Sequence, residues 1–165
     1  MPTKKAPAKD IQKTATPAQV LRRFRVVFNA VRKHFRDMEK QVGLGGAQVW
    51  ALSIIKSKPG IGMGGIAEDM DIHQSTASNL IKGLQKKGLI EMTKGEVDRR
   101  SVCLKILPAG NALLRKVSGP FEGVLPVALS ELKESTLKRL DKDLSELIVL
   151  LKADESAAEI PLASI

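Results

Sequence analysis

Cysteine is almost missing: Cys103 is the single thiol in 165 residues. That excludes an internal disulfide and fits a reducing compartment. Long apolar runs are missing as well, and no stretch approaches the 18 residues of a membrane span. The opening MPTKKAPAKDIQKTATP lacks the apolar stretch of a secretory signal, so a soluble, cytoplasmic protein is the expectation. Groups for chemistry are few. His34, His73 and Cys103 fall on three separate predicted elements and form neither a metal-ligand spacing nor a nucleophile–base set. No enzyme, no metal and no cofactor are expected.

What the chain does have is a core and a lopsided charge. Hydrophobic residues make up 43% of it, enough for one domain with helical extensions. Net charge is +9, and it is concentrated: residues 1–107 hold 20 basic and 9 acidic side chains, residues 108–165 hold 7 and 9. An anionic partner for the first two-thirds follows, with nucleic acid the usual candidate.

Residues 1–16 have no apolar periodicity and read as a disordered basic arm. Thr16 and Pro17 then suit a helix cap and first turn. Leu21, Phe24, Phe28, Val31, Phe35, Met38 and Val42 recur in steps of three and four, the seam of a long helix over 17–42. Such a seam predicts cover from a second subunit. A second helix spans about Ala47–Lys56, a short third covers Gly65–Met70, and a fourth runs from Gln74 to about Lys87 with Ala77, Leu80, Ile81 and Leu84 as its buried stripe. Gly88 stands where that helix should stop. Leu89–Thr93 and Ser101–Leu107 alternate like strands, and Pro108 opens further helices. Leu137, Leu140, Leu144, Leu147 and Leu151 form a second seam within Glu131–Lys152, before a loose acidic tail at 153–165.

Two short helices, a tight turn, a polar-faced helix and a hairpin describe a winged helix-turn-helix over 43–107: mainly α, with a small antiparallel β wing. Helical extensions at 17–42 and 108–152 would serve dimerisation. After the turn at His73, residues Gln74, Ser75, Thr76, Ser78, Asn79 and Lys82 offer a small polar surface fit for a major groove. Hydroxyls reach phosphates or bases, Gln and Asn pair with adenine, and Lys attracts the backbone. Seven residues, Lys94–Arg100, separate the strands. Arg99 and Arg100 at that tip are candidates for minor-groove insertion, with Asp98 holding one of them.

From Ile66 to Gly110 the sequence IAEDMDIHQSTASNLIKGLQKKGLIEMTKGEVDRRSVCLKILPAG resembles the MarR family of bacterial transcriptional regulators. Ser75–Ser78 through Ile81, Leu84–Ile90 and Asp98-Arg99-Arg100 carry the resemblance. It implies a homodimeric repressor on a pseudo-palindromic operator in double-stranded DNA, released by a small-molecule effector. The dimer interface would include Leu21, Phe24, Phe28, Val31, Phe35, Leu140, Leu144, Leu147 and Leu151. Trp50, Met63 and Met70 are candidates for an effector pocket, with core packing as their ordinary role. Asn79 and Lys82 stand where the family often has Arg and an acidic residue, and Gly83 costs helix stability, about 1 kcal/mol relative to Ala.

Three rival readings attach to particular residues. Gly60-Ile61-Gly62-Met63-Gly64-Gly65 matches a dinucleotide fingerprint without its strand–helix context and reads better as a flexible turn. The basic amphipathic helix 17–42 would also suit an anionic membrane surface or non-specific nucleic-acid binding. Cys103, on the strand face opposite Val102 and Leu104, is an inert residue unless it serves redox sensing.

Overall fold

A computed structural model describes residues 15–94 and 102–164. The basic arm, except its last two residues, therefore lies outside the described residues, and so do Asp98, Arg99 and Arg100. The element order is α1 (Pro17–Val42), α2 (Gly46–Ser57), α3 (Met63–Met70), α4 (Gln74–Lys86), β1 (Ile90–Lys94), β2 (Val102–Ile106), α5 (Pro108–Leu114), α6 (Val124–Ser130) and α7 (Glu134–Leu151). Two short 3-10 turns follow, Glu155–Glu159 and Leu162–Ser164.

Local chemistry sets most boundaries. Thr16 caps α1 with a reciprocal pair: its hydroxyl accepts from Gln19 N, and the Gln19 side chain accepts from Thr16 N. Gly43, at φ 67°, ends that helix in the left-handed region. Helix α2 supplies the centre of the core through Val49, Ala51, Leu52 and Ile55, none more than marginally exposed. Against it pack Ile66 and Met70 of α3, Ala77, Ile81 and Leu84 of α4, and Leu104 of β2. Gly83 has a reason to be in α4, since a Cβ there would lie 2.6 Å from Gln48 Nε2. The glycine weakens the helix locally and lets it come close to α2.

Strands β1 and β2 pair antiparallel, with Ile90 opposite Ile106, Met92 opposite Leu104 and Lys94 opposite Val102. The glycine-rich turn joins this ribbon. Gly60 N donates to Leu104 O (2.9 Å) and Leu104 N to Ile61 O (3.0 Å), so residues 60–61 line the free edge of β2. This backbone pairing, between α2 and α3, is the structural role of the segment that formally matched a dinucleotide fingerprint.

Two expectations need correction. The seam on α1 is split: Leu21 and Phe28 are half exposed or more, whereas Val31, Phe35 and Met38 are buried within this chain. Val31 and Phe35 therefore pack on their own lobe. The cause is steric. A Cβ at Gly46 would collide with the Phe35 ring, and one at Gly123 would lie 2.7 Å from Phe35 Cζ. Both glycines leave a slot for that ring, one at the start of α2 and one before α6. Spacing along a helix reveals an apolar face without revealing which surface covers it.

The second correction concerns the tail. Residues 153–164 are not loose; they turn back against α1 and α2, with Pro161 buried and Ala163 packed on the core. Helix α7, by contrast, buries none of its residues. Replacing Phe35 with Ala should therefore lower unfolding free energy by about 3–5 kcal/mol, while Phe28→Ala changes it far less. Urea denaturation of both variants, at concentrations that preserve one oligomeric state, checks that contrast.

Candidate nucleic-acid interface

Helix α4 is presented by a tight turn. Asp71 takes the left-handed conformation (φ 51°), Ile72 buries its side chain as an anchor, and His73 turns extended as the N-cap. His73 Nδ1 accepts from Ser75 N (3.2 Å) and lies 2.7 Å from Ser75 Oγ. The imidazole thus replaces the usual Ser or Asp in satisfying a first-turn donor. His73, expected to face DNA, is engaged as a cap, and it orients Ser75 beside it.

Beyond the cap, Gln74, Ser75, Asn79 and Lys82 are exposed, while Thr76 and Ser78 are half-buried at the margins of the face. Ala77, Ile81 and Leu84 hold the opposite face in the core. Lys86 and Lys87 extend the exposed surface at the helix end. The six polar residues of α4 singled out from sequence thus share one side of one helix. Its N-terminus adds backbone donors and a positive dipole end, suited to a phosphate.

The ribbon runs toward the segment that contains Asp98, Arg99 and Arg100; Lys94 opposite Val102 is the last described pair before it. On the ribbon Glu91 faces Lys105 across the strands, and both are exposed. Cys103 is half-buried, and its carbonyl accepts from Thr93 Oγ1 at 3.4 Å.

Sequence reasoning missed one polar tie beneath this face. Lys58 Nζ, after α2, reaches both carboxylate oxygens of Asp69 on α3, at 2.7 and 2.6 Å. Eleven residues separate them, so no helical spacing announced the pair. It fixes the helix preceding the turn. On α1 the Asp37 carboxyl is held below the usual carboxylate range, first by its hydrogen bond from Lys33 and then by the charges of Lys33, Lys40 and Arg36. That surface is strongly basic.

The three candidate pocket residues part company. Trp50 and Met70 line a cavity of about 240 Å³, together with Val31, Phe35 and Gly123. Met63, at the start of α3, packs against the core instead. Among the described residues no three metal-ligating side chains converge, and no helix is long and apolar enough to cross a membrane.

Removing the imidazole cap has a defined expected cost. His73→Ala should destabilise the fold by about 1 kcal/mol, seen as a lower urea midpoint with an unchanged slope. His73→Asn, which restores a side-chain acceptor, should recover most of that loss.

Comparisons with known proteins agree with this geometry. Residues 46–102, from the start of α2 into β2, match the model of the MarR family. A Thauera aromatica protein named as a candidate transcriptional regulatory protein for the hcr operon is 28% identical over 88 residues, 53% of each chain. The alignment thus spans about half the length of that relative. The uncharacterised helix-turn-helix-type transcriptional regulator YdgG of Bacillus subtilis (strain 168) is 28% identical over 108 residues, 64% of this chain and 71% of its own. Among solved structures, the MepR–DNA complex of S. aureus superposes with a TM-score of 0.55 at 18% identity, covering 83% of this chain and 99% of MepR. With the family model falling on the helix-turn-helix and ribbon and the fold shared along most of its length, the chain belongs to the MarR family.

Proposed function

We propose that the protein is a homodimeric transcriptional regulator that binds double-stranded DNA through α4, acting as a repressor. The observation that carries this reading is the division of α4 into a core face and a solvent face of Gln74, Ser75, Asn79 and Lys82. A structural role for the helix accounts for the first face only. Gln74 and Asn79 would read base edges, with Ser75, Thr76 and Ser78 positioned on bases or phosphates and Lys82 on the backbone. Arg99 and Arg100, outside the described residues, remain the wing candidates for the minor groove, with Asp98 as their support. The relative from S. aureus that shares this fold was solved bound to DNA, which supports the same partner here.

Dimerisation is supported by apolar surface left without cover. The first half of α1 exposes Val20, Leu21, Val26 and Phe28, and the end of α7 exposes Val149, Leu150 and Leu151, each more than 40% accessible. Leu140, Leu144 and Leu147 are only half-buried. Exposed apolar surface on two long helices is the mark of an interface. A second chain covers both, which leaves α1 unavailable to a membrane surface. The cavity against Trp50 and Met70, between α1 and the DNA-binding lobe, is the proposed site of a small-molecule effector. Its occupation would change the separation of the two α4 helices and release the operator.

Binding to the DNA upstream of the protein's own gene, against a scrambled duplex across a salt series, tests the reading. The intact protein should prefer its own upstream sequence by at least about 10³-fold, with a steep salt slope. Asn79→Ala should cost about 1–3 kcal/mol and relax selectivity, while Lys82→Ala should weaken both duplexes and reduce the slope by about one. Equal binding to the two duplexes at every salt concentration would count against sequence-specific regulation.

A further inference from the structure

The returning tail occupies a position that its sequence did not announce. Three hollows flank residues 160–164. The cavity of about 240 Å³ against Trp50 and Met70 is closed by Ile160, Pro161 and Leu162. A depression of about 360 Å³ along Arg25, Phe28 and Arg32 also has Leu162 in its wall. A third, of about 520 Å³, lies between Arg32, Phe35, Arg36 and the start of α2, with Ala163 and Ser164 at its edge. Val31, Arg32 and Phe35 are each shared between neighbouring hollows. These are parts of one trough along α1, divided by five residues of tail.

The hold on those residues is weak. Within 154–164 the backbone bonds are internal, from Ala157 N to Asp154 O, Ile160 N to Ala157 O and Ser164 N to Pro161 O. Asp154 also accepts from Ser156 N. Among the described residues no hydrogen bond or ion pair crosses from this segment to the body. Adhesion rests on Pro161, on half-buried Ala163 and on part of Leu162, whereas Ile160 is 53% exposed. So little buried apolar area gives a small driving force for closure, and a segment held this way opens at low cost.

We infer that Ile160–Ser164 is a removable plug, an internal occupant that keeps the trough closed until an amphipathic anion takes its place. The vacated lining dictates the class of ligand. Val31, Phe35, Trp50 and Met70 offer an apolar bed, and Arg32 and Arg36 at the neighbouring hollow offer charge for an acid group. The inference deepens the effector-site reading above and rests on the trough, not on DNA binding.

The test uses 8-anilinonaphthalene-1-sulfonate, an apolar anion, as the probe. Trp50 is the sole tryptophan, so energy transfer from it places the dye beside this cavity. A chain ending at Glu159 should bind the dye at least tenfold more tightly than the full chain, with strong quenching of Trp50. Full-length Leu162→Lys, repelled by Arg25 and Arg32, should behave likewise and guards against a folding defect caused by truncation. A peptide of residues 154–165 added to the shortened chain should displace the dye, and Arg32→Gln in that chain should weaken it severalfold. Equal dye affinity in the full chain, the shortened chain and Leu162→Lys overturns the plug, as does dye binding that ignores both peptide and Arg32→Gln. Loss of operator binding by the full chain would sink the regulator reading and leave the dye result unaffected.

Discussion

Seating the Phe35 ring between Gly46 and Gly123 is the contact on which the rest of the molecule depends. It locks the long helix α1 to the first turn of α2 and to the link before α6. The adjacent residue adds a polar tie: His34 Nε2 lies 2.9 Å from Pro120 O, and its ring meets Phe35 edge-on at 5.1 Å. Helix α1 is thereby clamped at two successive residues, and α2 carries its orientation directly to α4 through the close approach at Gly83. A change felt by α1 thus has a packed route to the recognition surface, because close-packed interiors transmit displacement. The same ring lines two of the hollows beside the tail, so an occupant of the trough would press on the joint between the dimer helices and the DNA-binding lobe.

The DNA-binding lobe shows how function and packing divide one helix. Ala77, Ile81 and Leu84 leave α4 no freedom to roll, so Gln74, Asn79 and Lys82 are held outward by the core beneath them. Preorganisation of this kind reduces the ordering required on binding. Gly83 sacrifices some helix propensity for the approach to α2, a local weakness offset by tertiary contact. The ribbon is steadied in the same economical way, with Gly60 and Ile61 bonded to the otherwise free edge of β2.

Much of this was legible in the sequence because it is local. The Thr16–Pro17 start, the stripe of α4, the stop near Gly88 and the alternation of the two strands are encoded within a turn or two of chain, and the structure places them within a few residues of expectation. Legibility fails where cover comes from afar. Val31 and Phe35 shared a spacing with Leu21 and Phe28, yet the first pair found cover in its own lobe through two glycines remote from it. The tail has no periodicity at all, and a single buried proline decides its path. Met63 and Met70 looked equivalent as pocket candidates, and only α3's docking separates them. His73 shows the opposite case: its place at the turn was evident, but its use as a cap required the geometry of Ser75.

What remains without cover is the exposed half of α1 and the leucine seam of α7, and the account requires a second chain there. The most direct measurement is the distance between the two α4 helices in the assembled protein. A spin label at Lys86→Cys in a Cys103→Ser background, read by double electron–electron resonance on operator DNA, supplies it. A single narrow maximum near the spacing of successive major grooves, about 34–36 Å apart for half-sites, is the predicted result. Absence of a dipolar signal, or a broad distribution unrelated to that repeat, would contradict a dimer that presents its recognition helices in register.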